Sequence, residues 1–320
     1  MTHRIERLPI LILFPHSRCN CRCVMCDIWK TDTIQELSAA DLERHAEDIE
    51  RLGIEWVVFS GGEPLMHSDL FRLCAALRAR NIRLTLLSTG LLLERHAPRI
   101  VEHIHDVIVS LDGPPDVHDR IRRVPRAFDL LAAGVQALRR LHSQFPVAAR
   151  CTVQKANHAR LRDTADSARK IGLDSISFLA CDLESTAFNR PSAWPRQRQD
   201  EVGLTAAECD ALEAEMKKLV DPFILESPEK LGRIVRHFRA HLGLEQHESP
   251  RCNAPWVSAV VESDGSVRPC FFHAPIGSLR DASLMDVLNG APAVAFREGL
   301  DVSNNPVCRK CVCSLYRERQ

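Results

Sequence analysis

Three cysteines stand at C-x3-C-x2-C spacing in the run Arg18-Cys19-Asn20-Cys21-Arg22-Cys23-Val24-Met25-Cys26. Cys19, Cys23 and Cys26 supply three thiolates to a metal cluster and leave a fourth corner without a protein ligand. A cubane [4Fe-4S] cluster is ordinarily closed by four cysteines. A three-cysteine loop directly after the apolar run Pro9-Ile10-Leu11-Ile12-Leu13-Phe14 therefore points to an iron open to an outside molecule. A structural zinc site is the alternative, but zinc wants four closed ligands and no histidine follows at finger spacing. Cys21 reads as a small buried hydrophobe and not as a ligand.

Two further stretches carry chemistry. Ser60-Gly61-Gly62-Glu63-Pro64 follows an apolar run about 35 residues after the cysteine loop; its glycines permit positive φ and close approach of a ligand to the backbone. Taken alone it is a tight strand-to-helix turn. Near the C-terminus Cys252 is followed at C-x12-G-x4-C spacing by Gly265 and Cys270, and later by Cys308-Arg309-Lys310-Cys311-Val312-Cys313. Between the first pair, Val257 to Glu262, Ser263-Asp264-Gly265-Ser266 and Val267-Arg268 form a hairpin signature with an Asp-Gly turn. Cysteines that flank a hairpin and return in a C-x2-C pair hold a metal; on spacing alone a zinc ribbon and an iron-sulfur cluster are equally served.

These residues need a frame. From residue 9 to about 180, apolar runs at 9 to 14, 54 to 59, 82 to 87, 106 to 111, 147 to 153 and 174 to 179 alternate with helix-period stretches. Repeated βα units imply a parallel sheet with right-handed crossovers, and the Gly61-Gly62 turn falls at the carboxyl end of the second strand, where α/β barrels put ligands. Ser38 and Asp41 approximate a capping box ahead of one helix running from Leu42 to Leu52, with Gly53 as its stop. Residues 185 to 204, with Pro191 and Pro195, read as a linker or a substrate-facing loop. Helices at 205 to 220 and 228 to 243 precede the cysteine-rich end. Lys plus Arg equals Asp plus Glu at 42 each, so the charge balance points neither to nucleic acid nor to an anionic membrane. No apolar run has membrane-spanning length, and the run from Leu8 to Phe14 lacks the features of a signal peptide, which places the protein in the cytoplasm. Nine of the thirteen cysteines lie in the 19 to 26 loop or the last 70 residues, a clustering that favours metal binding over disulfides.

The three-cysteine loop and the Gly-Gly-Glu-Pro turn together resemble the radical S-adenosylmethionine (SAM) enzymes. The resemblance implies an open partial (β/α)6 barrel over residues 1 to 200, a helical linker over 201 to 248 and a small α+β auxiliary-cluster domain over 249 to 320. It implies a [4Fe-4S] cluster on Cys19, Cys23 and Cys26 whose open iron chelates SAM, with Gly61, Gly62, Glu63 and Pro64 engaging the SAM amino group. Ser88 and Thr89 fall where the family contacts the SAM ribose or carboxylate, with helix capping as the alternative. Ser110 and Arg122 resemble the pair that holds the SAM carboxylate, a role suited to a guanidinium; Asn157 and Leu179 resemble ribose and adenine contacts. Met25 replaces the aromatic residue many members place before the third cysteine. The C-terminal pattern resembles a twitch domain, the shortened SPASM form, which implies an auxiliary [4Fe-4S] cluster on Cys252, Cys270, Cys308 and Cys311, with Cys313 able to replace one of the last two.

The expected activity is reductive cleavage of SAM to a 5′-deoxyadenosyl radical, hydrogen abstraction, and net oxidation of a small molecule such as a sugar or aminocyclitol. The alternatives are a peptide- or protein-modifying enzyme and, from another class, a non-catalytic iron-sulfur or zinc scaffold. An electron donor such as flavodoxin or ferredoxin is expected as a partner. Cys181, after the sixth strand, is a candidate hydrogen-atom donor.

Overall fold

The computed structural model describes residues 3–318. Six parallel strands are laid down in chain order: β1 (Ile10–Leu13), β2 (Trp56–Phe59), β3 (Arg83–Ser88), β4 (Asp106–Ser110), β5 (Val147–Val153) and β6 (Ile176–Ala180). Each lies within two residues of its expected bounds. Helices α1 (Ala39–Glu43), α2 (Ala46–Arg51), α3 (Leu70–Arg78), α4 (Leu93–His103), α5 (Pro115–Arg122), α6 (Ala127–Leu141) and α7 (Leu161–Lys170) form the crossovers. Strand alternation sorts the side chains. Val57, Phe59, Leu84, Leu86, Val107, Val109, Ala149 and Cys151 are fully buried under the helices, each large one stabilising the fold by roughly 1.5–3 kcal/mol. On the other, concave face Val58, Ile108, Ser110, Arg150 and Thr152 remain half-buried, as a barrel that leaves room for ligand requires.

The sheet does not stop at six. β7 (Ser258–Val261) pairs in parallel with β1, Leu11 opposite Ala259, and carries on into antiparallel β8 (Ser266–Arg268) and β9 (Gly277–Ser278), giving the order β6-β5-β4-β3-β2-β1-β7-β8-β9. The hairpin was legible, with Gly265 at φ +89° in its turn and Asp264 accepting from the Ser266 N–H at 2.8 Å. Its attachment to the first strand was not. The opposite edge, β6, is covered by the segment before α10 (Pro228–His241): Ile176 donates to the Phe223 carbonyl at 2.9 Å and the Glu226 carboxylate accepts from the Phe178 N–H at 2.9 Å.

Two expectations are corrected. The capping box of Ser38 and Asp41 forms, but the single helix to Leu52 breaks at His45, which splits it into α1 and α2. The buried His45 ring contacts the Leu279 carbonyl at 3.2 Å, and this long-range bond interrupts the local periodicity. The stretch 185 to 204 is no slack linker: it contains α8 (Arg196–Val202) and the buried Arg190 and Trp194. The helix beginning at Ala206, α9 (Ala206–Met216), carries its own capping box of Thr205 and Glu208. No helix among the described residues is long and apolar enough to cross a membrane.

Candidate functional site

The loop after β1 is held from both sides. Arg22 and Val24 donate to the carbonyls of Arg122 and Ile121, the last residues of α5, at 3.1 and 3.0 Å, and Glu63 donates to the Arg18 carbonyl at 2.9 Å. The Gly-Gly turn is pressed against this loop. A Cβ at Gly62 would lie 2.1 Å from the Arg18 oxygen, and one at Gly61, whose φ is +94°, would lie 2.6 Å from the Phe14 side chain, so only glycine allows the approach. The spacing of two sequence motifs is thereby turned into one wall.

Cys19 and Cys26 are half-buried, whereas Cys21 is buried in the core as expected. Hydrogen bonds with Cys19 and Cys23 push the Cys21 thiol far up. The reciprocal bond from Cys21, with Arg122 beside it, holds Cys23 down at about 7; Arg122 Nη1 sits 3.5 Å from its sulfur. A thiolate, not a thiol, is the metal ligand, so Arg122 favours the ligating form of Cys23. The Ile28 N–H donates to Cys26 Sγ at 3.4 Å. Three soft donors beside an amide and a guanidinium fit an anionic iron-sulfur cluster. Among the described residues no group of three His, Cys, Asp or Glu closes on a single metal ion.

The residues expected around SAM are found in part at this wall. Glu63 is fully buried at the start of a short turn led by Pro64. Its carboxylate accepts from Ser88 Oγ at 2.9 Å, the Thr89 N–H at 2.6 Å and the Leu65 N–H at 3.1 Å. Ser88 and Thr89 thus clamp Glu63 and do not cap a helix. Thr89 Oγ1 reaches on to Asn20 in the cysteine loop at 3.0 Å. Arg122 is buried, not a surface residue, and its Nη2 pairs with Asp112 at 2.6 Å; Ser110 is not among its partners and instead stands in register beside Arg150. Asn157 is spent as a staple: Nδ2 donates to the carbonyls of Asp112 and Thr152 at 2.9 and 3.0 Å, and Oδ1 accepts from Gln154 at 2.8 Å. Leu179 is half-buried and lines a cavity beside β6. Cys181 is buried, its thiol 3.5 Å from the Asp182 carbonyl and pushed up by burial.

A strap that the sequence did not reveal braces the loop from above. Arg190 is wholly buried; it pairs with Asp182 at 2.6 Å, donates to the Met25 carbonyl at 3.1 Å and stacks 3.7 Å from the Trp194 ring. Trp194 Nε1 donates to Asp27 at 2.7 Å, and the two terminal nitrogens of Arg190 are satisfied by Asp182, the Ser185 carbonyl and the Met25 carbonyl, as a buried charge requires. The sole signal in the sequence is the pairing of Arg and Trp in an otherwise polar stretch.

The second thiol set gathers because both flanks of the chain's tail are tied to its start. Asn253 donates to the Leu315 carbonyl at 2.9 Å and its amide brackets Arg317 at 2.6 and 3.0 Å. Cys252 lies close enough to raise Cys270, Cys308 and Cys311 electrostatically, Cys308 adds to the rise of Cys270, and Cys270 to that of Cys311. Burial pushes Cys270 up to about 12 and Cys308 up to about 11. Cys313 is exposed, and its N–H donates to Cys311 Sγ at 3.4 Å. His273, which the spacing argument passed over, stands 3.4 Å from the Cys308 sulfur. An aromatic cluster packs beside these segments: Phe271 contacts Phe14 and Phe188 with centroids 5.5 and 4.8 Å apart. Phe14 directly follows β1 and Phe271 directly follows Cys270.

Comparison with known proteins agrees with this arrangement. Residues 13–168 match the model of the radical SAM superfamily, and residues 252–312 match that of the SPASM iron-sulfur cluster-binding domain. The AdoMet-dependent heme synthase of Methanosarcina barkeri is 30% identical over 162 residues, 48% of this chain and 45% of that protein. The probable GTP 3',8-cyclase of Thermococcus kodakarensis is 29% identical over 282 residues, 85% of each chain. The match to the heme synthase thus spans under half of that relative. Among solved structures, Streptococcus suis SuiB bound to S-adenosylmethionine superimposes with a TM-score of 0.66 at 14% identity, covering 98% of this chain and 74% of that one. The anSMEcpe structure with AdoMet and a peptide gives 0.66 at 20% identity, covering 94% and 85%. At such identities the structures share the fold.

Proposed function

The chain belongs to the radical SAM superfamily and carries a C-terminal SPASM domain, and from that premise we propose that it is an enzyme that abstracts a hydrogen atom from a small molecule in a net oxidation. The cofactors that the two domains imply are a [4Fe-4S] cluster with SAM and auxiliary iron-sulfur. When bound, the first cluster and SAM supply a 5′-deoxyadenosyl radical and the auxiliary cluster supplies an electron acceptor.

The chain's own residues prepare this chemistry. Cys19, Cys23 and Cys26 hold the first cluster, and Arg122 beside Cys23 keeps a ligand in thiolate form. Gly61 and Gly62 present backbone to SAM, while the buried Glu63 fixes the turn by binding the ends of β2 and β3 to each other. Cys252, Cys270, Cys308 and Cys311 hold the auxiliary cluster; the exposed Cys313 positions Cys311 through its amide. Cys181, turned into the core, takes no part in this reading.

The observation that supports the proposal is that one sheet joins the three-cysteine loop after β1 to the cysteine-rich segment around β7 to β9, with Phe14, Phe188 and Phe271 packed together. The sequence relatives named for heme and GTP chemistry support a small-molecule substrate; a sugar or aminocyclitol is the finer form expected from the sequence. A flavodoxin- or ferredoxin-like donor would supply the electron. The test is anaerobic reconstitution followed by incubation with SAM and dithionite. Formation of 5′-deoxyadenosine is expected, and a reconstituted protein that forms none is a scaffold and not an enzyme.

A further inference from the structure

A cavity of about 200 Å³ opens beside β6, between α10 and the tail that carries Cys311 and Cys313. Five cations enter its wall, Arg150, Lys230, Arg233, Arg236 and Arg309, against two carboxylates, Glu226 and Glu248. The two histidines there add no charge at neutral pH, since burial pushes His237 down to about 4 and lowers His247 as well.

The cations are not all spent on internal partners. Arg236 pairs with Glu248 at 3.0 Å, and Arg309 donates to the His247 carbonyl at 3.2 Å. Arg150 reaches only a hydroxyl, Ser177 Oγ at 3.4 Å. Arg233 has no ion-pair partner among the described residues. The register explains the aim of Arg150: Ser110, Arg150 and Ser177 stand side by side on β4, β5 and β6, forming a polar row on the concave face. Like charges gathered around a small space repel one another and focus a positive potential into it. Guanidinium forks are the groups best shaped to take a carboxylate or phosphate.

We propose that this cavity takes the anionic end of the substrate, a small molecule bearing carboxylate or phosphate groups, with Arg150 and Arg233 as its anchors. The inference rests on the enzymatic reading above and narrows it: such a wall repels the ammonium groups of a free aminocyclitol and suits an acid-bearing or phosphorylated molecule.

The test is calorimetric titration of the anaerobically reconstituted full chain with citrate, as a carboxylate probe, and with pyrophosphate, as a phosphate probe. Saturable binding of at least one probe is expected, and the tighter one identifies the anion class. Arg233→Glu and Arg150→Gln should each weaken it at least about tenfold, equivalent to about 1.4 kcal/mol, with Arg233→Lys recovering part of the loss. Arg72→Gln, exposed on α3 away from the cavity wall, serves as the control for nonspecific screening and should bind as the parent does. Iron content and circular dichroism report whether each variant is folded. Absence of saturable binding by the parent, or unchanged binding in Arg150→Gln and Arg233→Lys together with a folded Arg233→Glu, overturns the proposal. Deoxyadenosine formation by the parent is measured alongside; its absence would overturn the enzymatic reading, while the titration decides the anion site separately.

Discussion

Cys23 and Arg122 show how little freedom a single residue has at this site. Replacing Cys19, Cys23 and Cys26 together by Ala should leave about half of roughly eight irons per chain, because each cubane takes four, and should abolish deoxyadenosine formation. Iron analysis and chromatography read both; wild-type cleavage in the triple variant would contradict the ligand assignment. Arg122 has a second duty, since it neutralises the fully buried Asp112 at 2.6 Å. Arg122→Ala should therefore destabilise the fold by about 3–5 kcal/mol, the cost of leaving a buried charge unpaired, and Asp112→Asn in the same chain should recover much of it. Denaturant melts of the single and double variants decide this; an Arg122→Ala melt matching the parent would place the charge elsewhere. The cysteines were legible because their chemistry is written in local spacing. The role of Arg122 was only half legible: the sequence set it beside Ser110 as a pair for the SAM carboxylate, and its contacts with the buried Asp112 and the Cys23 sulfur left no mark in spacing.

Among the elements, the strap from Asp182 to α8 deserves its place as a structural part and not as a connection. Arg190 bonds to Met25, 165 positions away, and Trp194 to Asp27, 167 positions away; separations of that order leave no trace in periodicity or spacing, which is why the stretch read as a linker. Arg190→Ala would strand Asp182 in the interior and remove the brace from the cysteine loop. Lowered thermal stability, and faster loss of the first cluster than of the auxiliary one under a chelator, are expected. Equal rates of loss for the two clusters would mean that the strap does not brace the loop. The two helices that follow were readable as helix-period stretches at 205 to 220 and 228 to 243; α9 and α10 fall inside them and begin at Thr205 and Ser227 caps that accept hydrogen bonds from the Glu208 and Lys230 N–H groups.

For the molecule as a whole, the sheet joins the auxiliary segment to the barrel through four register pairs between β1 and β7. A chain ending at position 248 would leave β1 with an apolar, unpaired edge, a template for aggregation, so size-exclusion chromatography should find no monomeric fragment; a soluble, monomeric one would show the two parts to be independent. Within the intact chain the two thiol sets should be separable by mutation. Cys308→Ala or Cys311→Ala should preserve deoxyadenosine formation without substrate yet abolish oxidised product, as seen by measuring both side by side; full product from either variant would make the auxiliary set purely structural. The β1–β7 ladder also sets an order of events during synthesis. Leu11 leaves the ribosome about 250 residues before its partner Ala259, a delay on the order of 10 to 50 s at common elongation rates. For that interval β1 has its β2 neighbour but not its β7 neighbour, which ties the completion of the sheet to the arrival of the cysteine-rich segment.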